Sequence, residues 1–198
     1  MKKLSALLLS CFLITGITTF AQAQSPLGIG VKGGVNIADF TGADFDTDTR
    51  TGGMLGISVD LTAPAFPVGF ETGLYYTQKG TEVNGSSIDL DYLELPVLAK
   101  IHFGLPGPVN PHIIAGPYAG FNVNAESETT VSGTEDISDF VRSTDFGLLF
   151  GIGSDFNIGV ATLNLQARYG MGLTNAFEDE LENGEKNSVF SITLGYNF

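Results

Sequence analysis

His102 and His112 are the only imidazoles in the 198-residue chain, and they flank the short stretch Gly104–Pro108. An imidazole can act as a general base or hold a metal, but a hydrolytic site also needs a nucleophile and an orienting acid in mutual reach. No Ser or Asp motif stands beside either histidine in the chain, so both are expected to be structural and no catalytic residue is expected. Gly28-Ile29-Gly30-Val31-Lys32-Gly33 matches G-x-G-x-x-G, yet the dinucleotide fingerprint requires a helix next, and more strand pattern follows. Asp44-Phe45-Asp46-Thr47-Asp48 opens like a calcium loop but lacks the turn glycine and has Leu55 where the bidentate Glu belongs. The densest acids, Glu178, Asp179 and Glu180, are the best place for a divalent cation, which prefers oxygen ligands and could bridge to anionic lipopolysaccharide. Acidic loops also simply stay solvated and repel one another, so neither a metal nor a cofactor is expected.

A second set of charges is placed differently. Lys32, Asp60, Glu71, Glu94, Lys100, Asp145, Asp155 and Arg168 alternate with apolar residues, and many glycines share their face. A solvent face would use long Lys and Glu along its length. Glycine among charges of both signs fits the inside of a narrow barrel, where opposite charges must pair. Lys32, Glu71, Glu94, Lys100 and Arg168 are therefore expected to form a polar plug.

The elements that carry these charges read as strands. The clearest is Asn187 to Phe198, where Phe190, Ile192, Leu194, Tyr196 and Phe198 fall on every second position opposite small or polar residues. Seven earlier segments alternate in the same way: 27–40, 53–61, 68–79, 88–103, 110–124, 144–156 and 160–173. The fifth is the least regular, because Ile113 and Ile114 are adjacent and Pro117 interrupts it. Each is near the ~9–11 residues that a tilted membrane strand needs. Tight connections rich in Pro, Gly or Asn lie at 62–67, 104–108 and 157–159, and long polar ones at 41–52, 80–87, 125–143 and 174–186. Outer-membrane barrels alternate short periplasmic turns with longer outside loops, and an even strand count closes them. The expectation is an all-β, eight-stranded antiparallel transmembrane barrel with up-and-down meander order. An interior of that size is filled by side chains, so a conducting pore is not expected.

Before the first strand, Lys2 and Lys3, the apolar run Leu4–Phe20 and Ala21-Gln22-Ala23 make a secretory signal peptide over residues 1–23, leaving a barrel domain at 24–198. The single cysteine, Cys11, would leave with it, and with it any disulfide, thiolate nucleophile or cysteine metal site. The formal charge of −13 becomes −15 once Lys2 and Lys3 go, since residues 1–23 hold no acid. Such a balance excludes nucleic acid as a partner, because phosphate binding needs clustered Lys and Arg.

The stretches GIGVKGGVNIADF (28–40), YLELPVLAKIHF (92–103), PHIIAGPYAGF (111–121), DFGLLFGIGSDF (145–156), ARYGMGLTNAF (167–177) and the closing SITLGYNF resemble the PorT-type outer-membrane β-barrel proteins of Bacteroidetes. The resemblance spans almost the whole mature chain. It implies an outer-membrane barrel inserted by the barrel-assembly machinery, which reads a last strand such as Phe190, Ile192, Leu194, Tyr196 and Phe198. It implies little about activity. The expected function is a non-enzymatic, monomeric outer-membrane protein of a Gram-negative cell. Its plugged barrel touches membrane lipid and lipopolysaccharide and presents acidic loops in a structural or envelope-interaction role. The alternatives are a soluble lipocalin-like carrier and, behind it, a lipid-modifying barrel enzyme.

Overall fold

The computed structural model describes residues 27–41, 48–62, 67–83, 86–103, 107–129, 133–136, 141–176 and 186–198. Nine strands follow one another: β1 (Leu27–Thr41), β2 (Asp48–Thr62), β3 (Val68–Val83), β4 (Ser86–His102), β5 (Val109–Thr129), β6 (Gly133–Asp136), β7 (Thr144–Ile158), β8 (Ala161–Gly172) and β9 (Lys186–Asn197). Eight of them form a closed meander. Each pairs antiparallel with its neighbour, β5 pairs β7 directly, and β9 returns to β1 with Gly30 opposite Asn197 and Thr41 opposite Lys186. Phe198 completes the seam by donating its backbone N–H to Ile29 O at 2.9 Å. Closure leaves no unpaired edge in the wall. β6 is a four-residue addition that pairs only with the far end of β5.

The alternation seen in the sequence sorts cleanly onto two faces. Ile57, Ile152, Leu165, Ile192 and Leu194 point outward and exposed, and Leu55 is 67% exposed. The charged residues of the strand mid-sections (Lys32, Asp60, Glu71, Lys79, Glu94, Lys100, Asp145, Asp155 and Arg168) are all buried, Glu71 completely. A soluble carrier would show the reverse. Phe103, Phe156 and Phe198 ring the outside near the end with the tight turns, and Phe121, Phe146 and Phe190 ring it toward the loops. Mostly aliphatic residues, with Phe150 among them, fill the band between, as in a wall that meets hydrocarbon at mid-height and headgroups at its rims.

Small residues on the inner face make room for large ones. A Cβ on Gly147 would lie 2.5 Å from the Tyr118 ring, and one on Gly73 would lie 2.6 Å from the Tyr75 hydroxyl. Both tyrosines are buried across the lumen. Gly159 makes the tight β7–β8 turn with φ of +75°, a conformation that favours glycine.

The strands outrun the alternating segments at the loop end. Gly80–Ser87, expected as a long loop, is mostly strand, since β3 continues to Val83 and β4 begins at Ser86. Likewise β5 runs to Thr129, and β6 occupies part of the expected loop at 125–143. Pairs such as Thr81 with Ile88 satisfy the backbone there, beyond the apolar band. Without a lipid-facing stripe, hydrophobic periodicity carries no signal of those pairings. The fifth strand keeps its two faces where it read least regularly, with Ile113 out, Ile114 in and lipid-facing Pro117 opposite Leu148, while its pairing with β4 shifts register between Asn122 and Asn124.

Candidate functional site: a charged plug in the lumen

Inward positions of all eight wall strands converge on two charged clusters. The one nearer the tight turns is centred on Glu71 of β3. Its Oε1 accepts a hydrogen bond from Lys32 Nζ at 2.6 Å and another from the Arg168 guanidinium, and its Oε2 accepts from Gln166 Nε2 at 2.8 Å. Gln166 Oε1 in turn accepts from Lys32 (3.1 Å) and from Arg168 Nε (2.8 Å), locking three strands together. Lys100 of β4 bridges Asp60 (3.1 Å) and Asp155 (2.8 Å), with Glu71 Oε2 at 4.0 Å. Asn197 donates to Asp60 and Asn164 to Asp155, each at 2.5 Å. Three cations therefore face three carboxylates, and few oxygens lack a donor. In a dry interior that balance is what makes buried charge tolerable.

The second cluster lies toward the loops. Lys79 of β3 meets Glu94 Oε2 at 2.8 Å and Asp145 Oδ2 at 3.1 Å. Its ammonium also sits over the Tyr118 and Tyr92 rings, 4.4 and 5.1 Å from their centroids, where the ring faces attract a cation. Asp145 accepts further bonds from Tyr118, Asn187 and Thr174 at 3.0–3.2 Å. Here one cation faces two carboxylates, and neutral donors supply the difference. Between the clusters lies a cavity of about 20 Å³, lined by Thr77, Lys79, Glu94, Tyr118, Arg168 and Ser191 among others. That is room for about one water molecule.

Two apolar packings flank these charges. Leu98, Ile114, Tyr118 and Leu149 fill one side of the lumen. Leu90, Tyr92, Ala125, Val141 and Ala176 pack together at the loop end, where Arg142 N donates to Ala176 O at 2.9 Å.

Of the five charges singled out in the sequence, Lys32, Glu71, Lys100 and Arg168 share one network, while Glu94 belongs to the other. Sequence reasoning gave no role to Lys79, and it left Asp60, Asp145, Asp155 and Gln166 out of the plug. All lie on inward positions of alternating strands, so the face pattern already held them. Asp155 also stands beside both histidines, with His102 Nε2 at 3.1 Å and His112 Nδ1 at 3.7 Å from its Oδ2. The absence of an acid next to them in the chain was thus misleading. Among the described residues neither imidazole is hydrogen-bonded to a hydroxyl. Glu178, Asp179 and Glu180 lie outside the described residues. Phe190, Ile192, Leu194, Tyr196 and Phe198 form one exposed stripe on β9 and the residue that follows it.

A closed barrel with hydrocarbon-compatible walls and charge sealed inside is the architecture of an outer-membrane protein. Residues 20–178 match the family described as "Outer membrane protein beta-barrel domain", and the chain belongs to that family. It is accordingly an outer-membrane β-barrel protein. No curated protein matches the sequence. Among solved structures, Neisserial surface protein A (NspA) is similar at 15% identity and a TM-score of 0.58, covering 87% of this chain and 96% of its own. A major outer membrane protein from Thermus thermophilus is also similar, at 15% identity and a TM-score of 0.52, covering 87% of this chain and 98% of its own. At these identities the likeness concerns the fold.

Proposed function

We propose that the barrel is a sealed, non-enzymatic membrane scaffold of the PorT-type branch of its family, which holds acidic loops at the cell surface in an envelope-interaction role. The observation that carries this reading is the plug: salt bridges and the Tyr75 and Tyr118 rings fill the middle of the lumen, and the cavity beside Lys79 and Arg168 has room for about one water molecule. A filled lumen moves neither ions nor solutes, so the chain's variable contribution lies in its loops. The leader at 1–23 would be cleaved after Ala23, and the stripe ending in Phe198 would present the last strand to the barrel-assembly machinery. The barrel would sit as a monomer among lipid and lipopolysaccharide, with divalent cations bridging anionic headgroups to loop acids such as Glu178, Asp179 and Glu180.

The test is electrical. Refolded protein in a planar lipid bilayer should give no stepwise conductance, while showing the shift in gel migration on boiling that marks a folded barrel. Discrete, reproducible channels from the same preparation would overturn the scaffold reading.

A further inference from the structure

We infer that His102, His112 and Asp155 form a divalent transition-metal site at the tight-turn end of the lumen, independent of any role of the loops. Their ligand atoms all lie within 4.8 Å of one another. Three adjacent strands supply them. His102, the last residue of β4, sits opposite His112 of β5. His112 in turn sits opposite Gly153 of β7, two residues before Asp155. The two rings meet edge to face with centroids 5.5 Å apart. Gly153 leaves space for this, since a Cβ there would lie 2.9 Å from His112 Nε2. The ligands are thus held by a closed sheet rather than by loops.

The donor set selects the metal. Two imidazole nitrogens and one carboxylate oxygen suit borderline ions such as zinc, nickel or copper(II) rather than calcium or magnesium, which take oxygen ligands. Three protein ligands leave coordination positions for water. The His102 side chain is 19% exposed, against 0% for His112, so it marks the entry side.

Two neighbours must yield when a metal enters. Lys100 holds Asp155 Oδ2 at 2.8 Å, but its ammonium also reaches Asp60 at 3.1 Å and Glu71 at 4.0 Å, so it keeps partners after giving up that oxygen. Asp155 Oδ1 stays with Asn164. His112 Nδ1, 3.4 Å from Asn110 O, would turn to the metal, and Gln166 beside Nε2 (3.1 Å) would have to accept the displaced ring proton through its amide oxygen. Gln166 would thereby give up the bonds that this oxygen takes from Lys32 and Arg168 and that its nitrogen gives to Glu71. A positive neighbour and a required amide reversal make this a weaker site than a dedicated zinc centre, loaded when the local metal concentration rises.

The experiment uses the full chain without a polyhistidine tag, refolded in detergent, stripped with EDTA and given one equivalent of copper(II). The electron paramagnetic resonance spectrum is expected to show splitting from two imidazole nitrogens. Zinc titrated into the stripped protein should saturate at one equivalent. His102→Ala should weaken that binding about tenfold or more, because losing a ligand costs at least as much as losing its outer partner. Gel migration verifies that the variant barrel is folded. Glu178→Gln with Asp179→Asn and Glu180→Gln should leave the nitrogen signal intact. An oxygen-only copper spectrum for the unsubstituted protein would overturn the site without recourse to any variant. So would unchanged zinc affinity in folded His102→Ala.

Discussion

The two charged clusters solve the same problem in different ways. Around Glu71, charge is matched by charge, and Lys32, Lys100 and Arg168 face Glu71, Asp60 and Asp155. Around Lys79, one ammonium serves Glu94 and Asp145, and Tyr118, Asn187, Thr174 and two aromatic faces complete the shell. Burial does not separate them, since the side chains of Lys79 and Asp145 are 3% and 4% exposed, against 3%, 8% and 11% for Lys100, Asp60 and Asp155. What differs is the kind of donor: the wholly buried Glu71 carboxylate is held chiefly by two cations, whereas Asp145 has three neutral donors besides Lys79. A carboxylate with several neutral donors leans less on any one ion pair.

This contrast orders the expected effects of substitution. Glu71→Leu strips Lys32 and Arg168 of their shared carboxylate and should cost about 3–5 kcal/mol, the usual penalty for breaking a buried pair. Urea unfolding of barrels refolded into lipid vesicles, followed by gel migration, measures it. Lys79→Met should cost less, about 2 kcal/mol, because Asp145 keeps three neutral donors and Glu94 lies against water-sized space. If Lys79→Met proved the more damaging of the two in that assay, the argument from neutral donors would be wrong. Thr174→Val removes one of Asp145's donors at the rim and should cost about 1 kcal/mol. A loss as large as that for Lys79→Met would show that the rim, not the ion pair, holds the loop-side cluster.

Much of the wall was legible before any coordinates, because strand geometry is local. Side chains alternate by backbone geometry alone, so Leu163, Leu165, Ile192 and Leu194 declare a common face whatever lies beside them. The glycines among charges then identify the other face as a cramped interior. Loop-end boundaries were not legible. At residues 80–87, pairing continues where no lipid-facing residue reports it, and the hydrogen bonds are made by backbone that every residue shares.

The chain's own residue order determined the eight lipid-facing segments, their polarity and the membrane destination, since each rests on a period-two pattern within about a dozen residues. Only the closed barrel decided which charges meet. Glu71 and Arg168 are 97 residues apart, and Lys32 and Gln166 are 134 apart. His102 and His112 gain Asp155 from a third strand. Those partnerships depend on strand register and on the curvature that brings distant strands across a narrow lumen, and no local pattern encodes either.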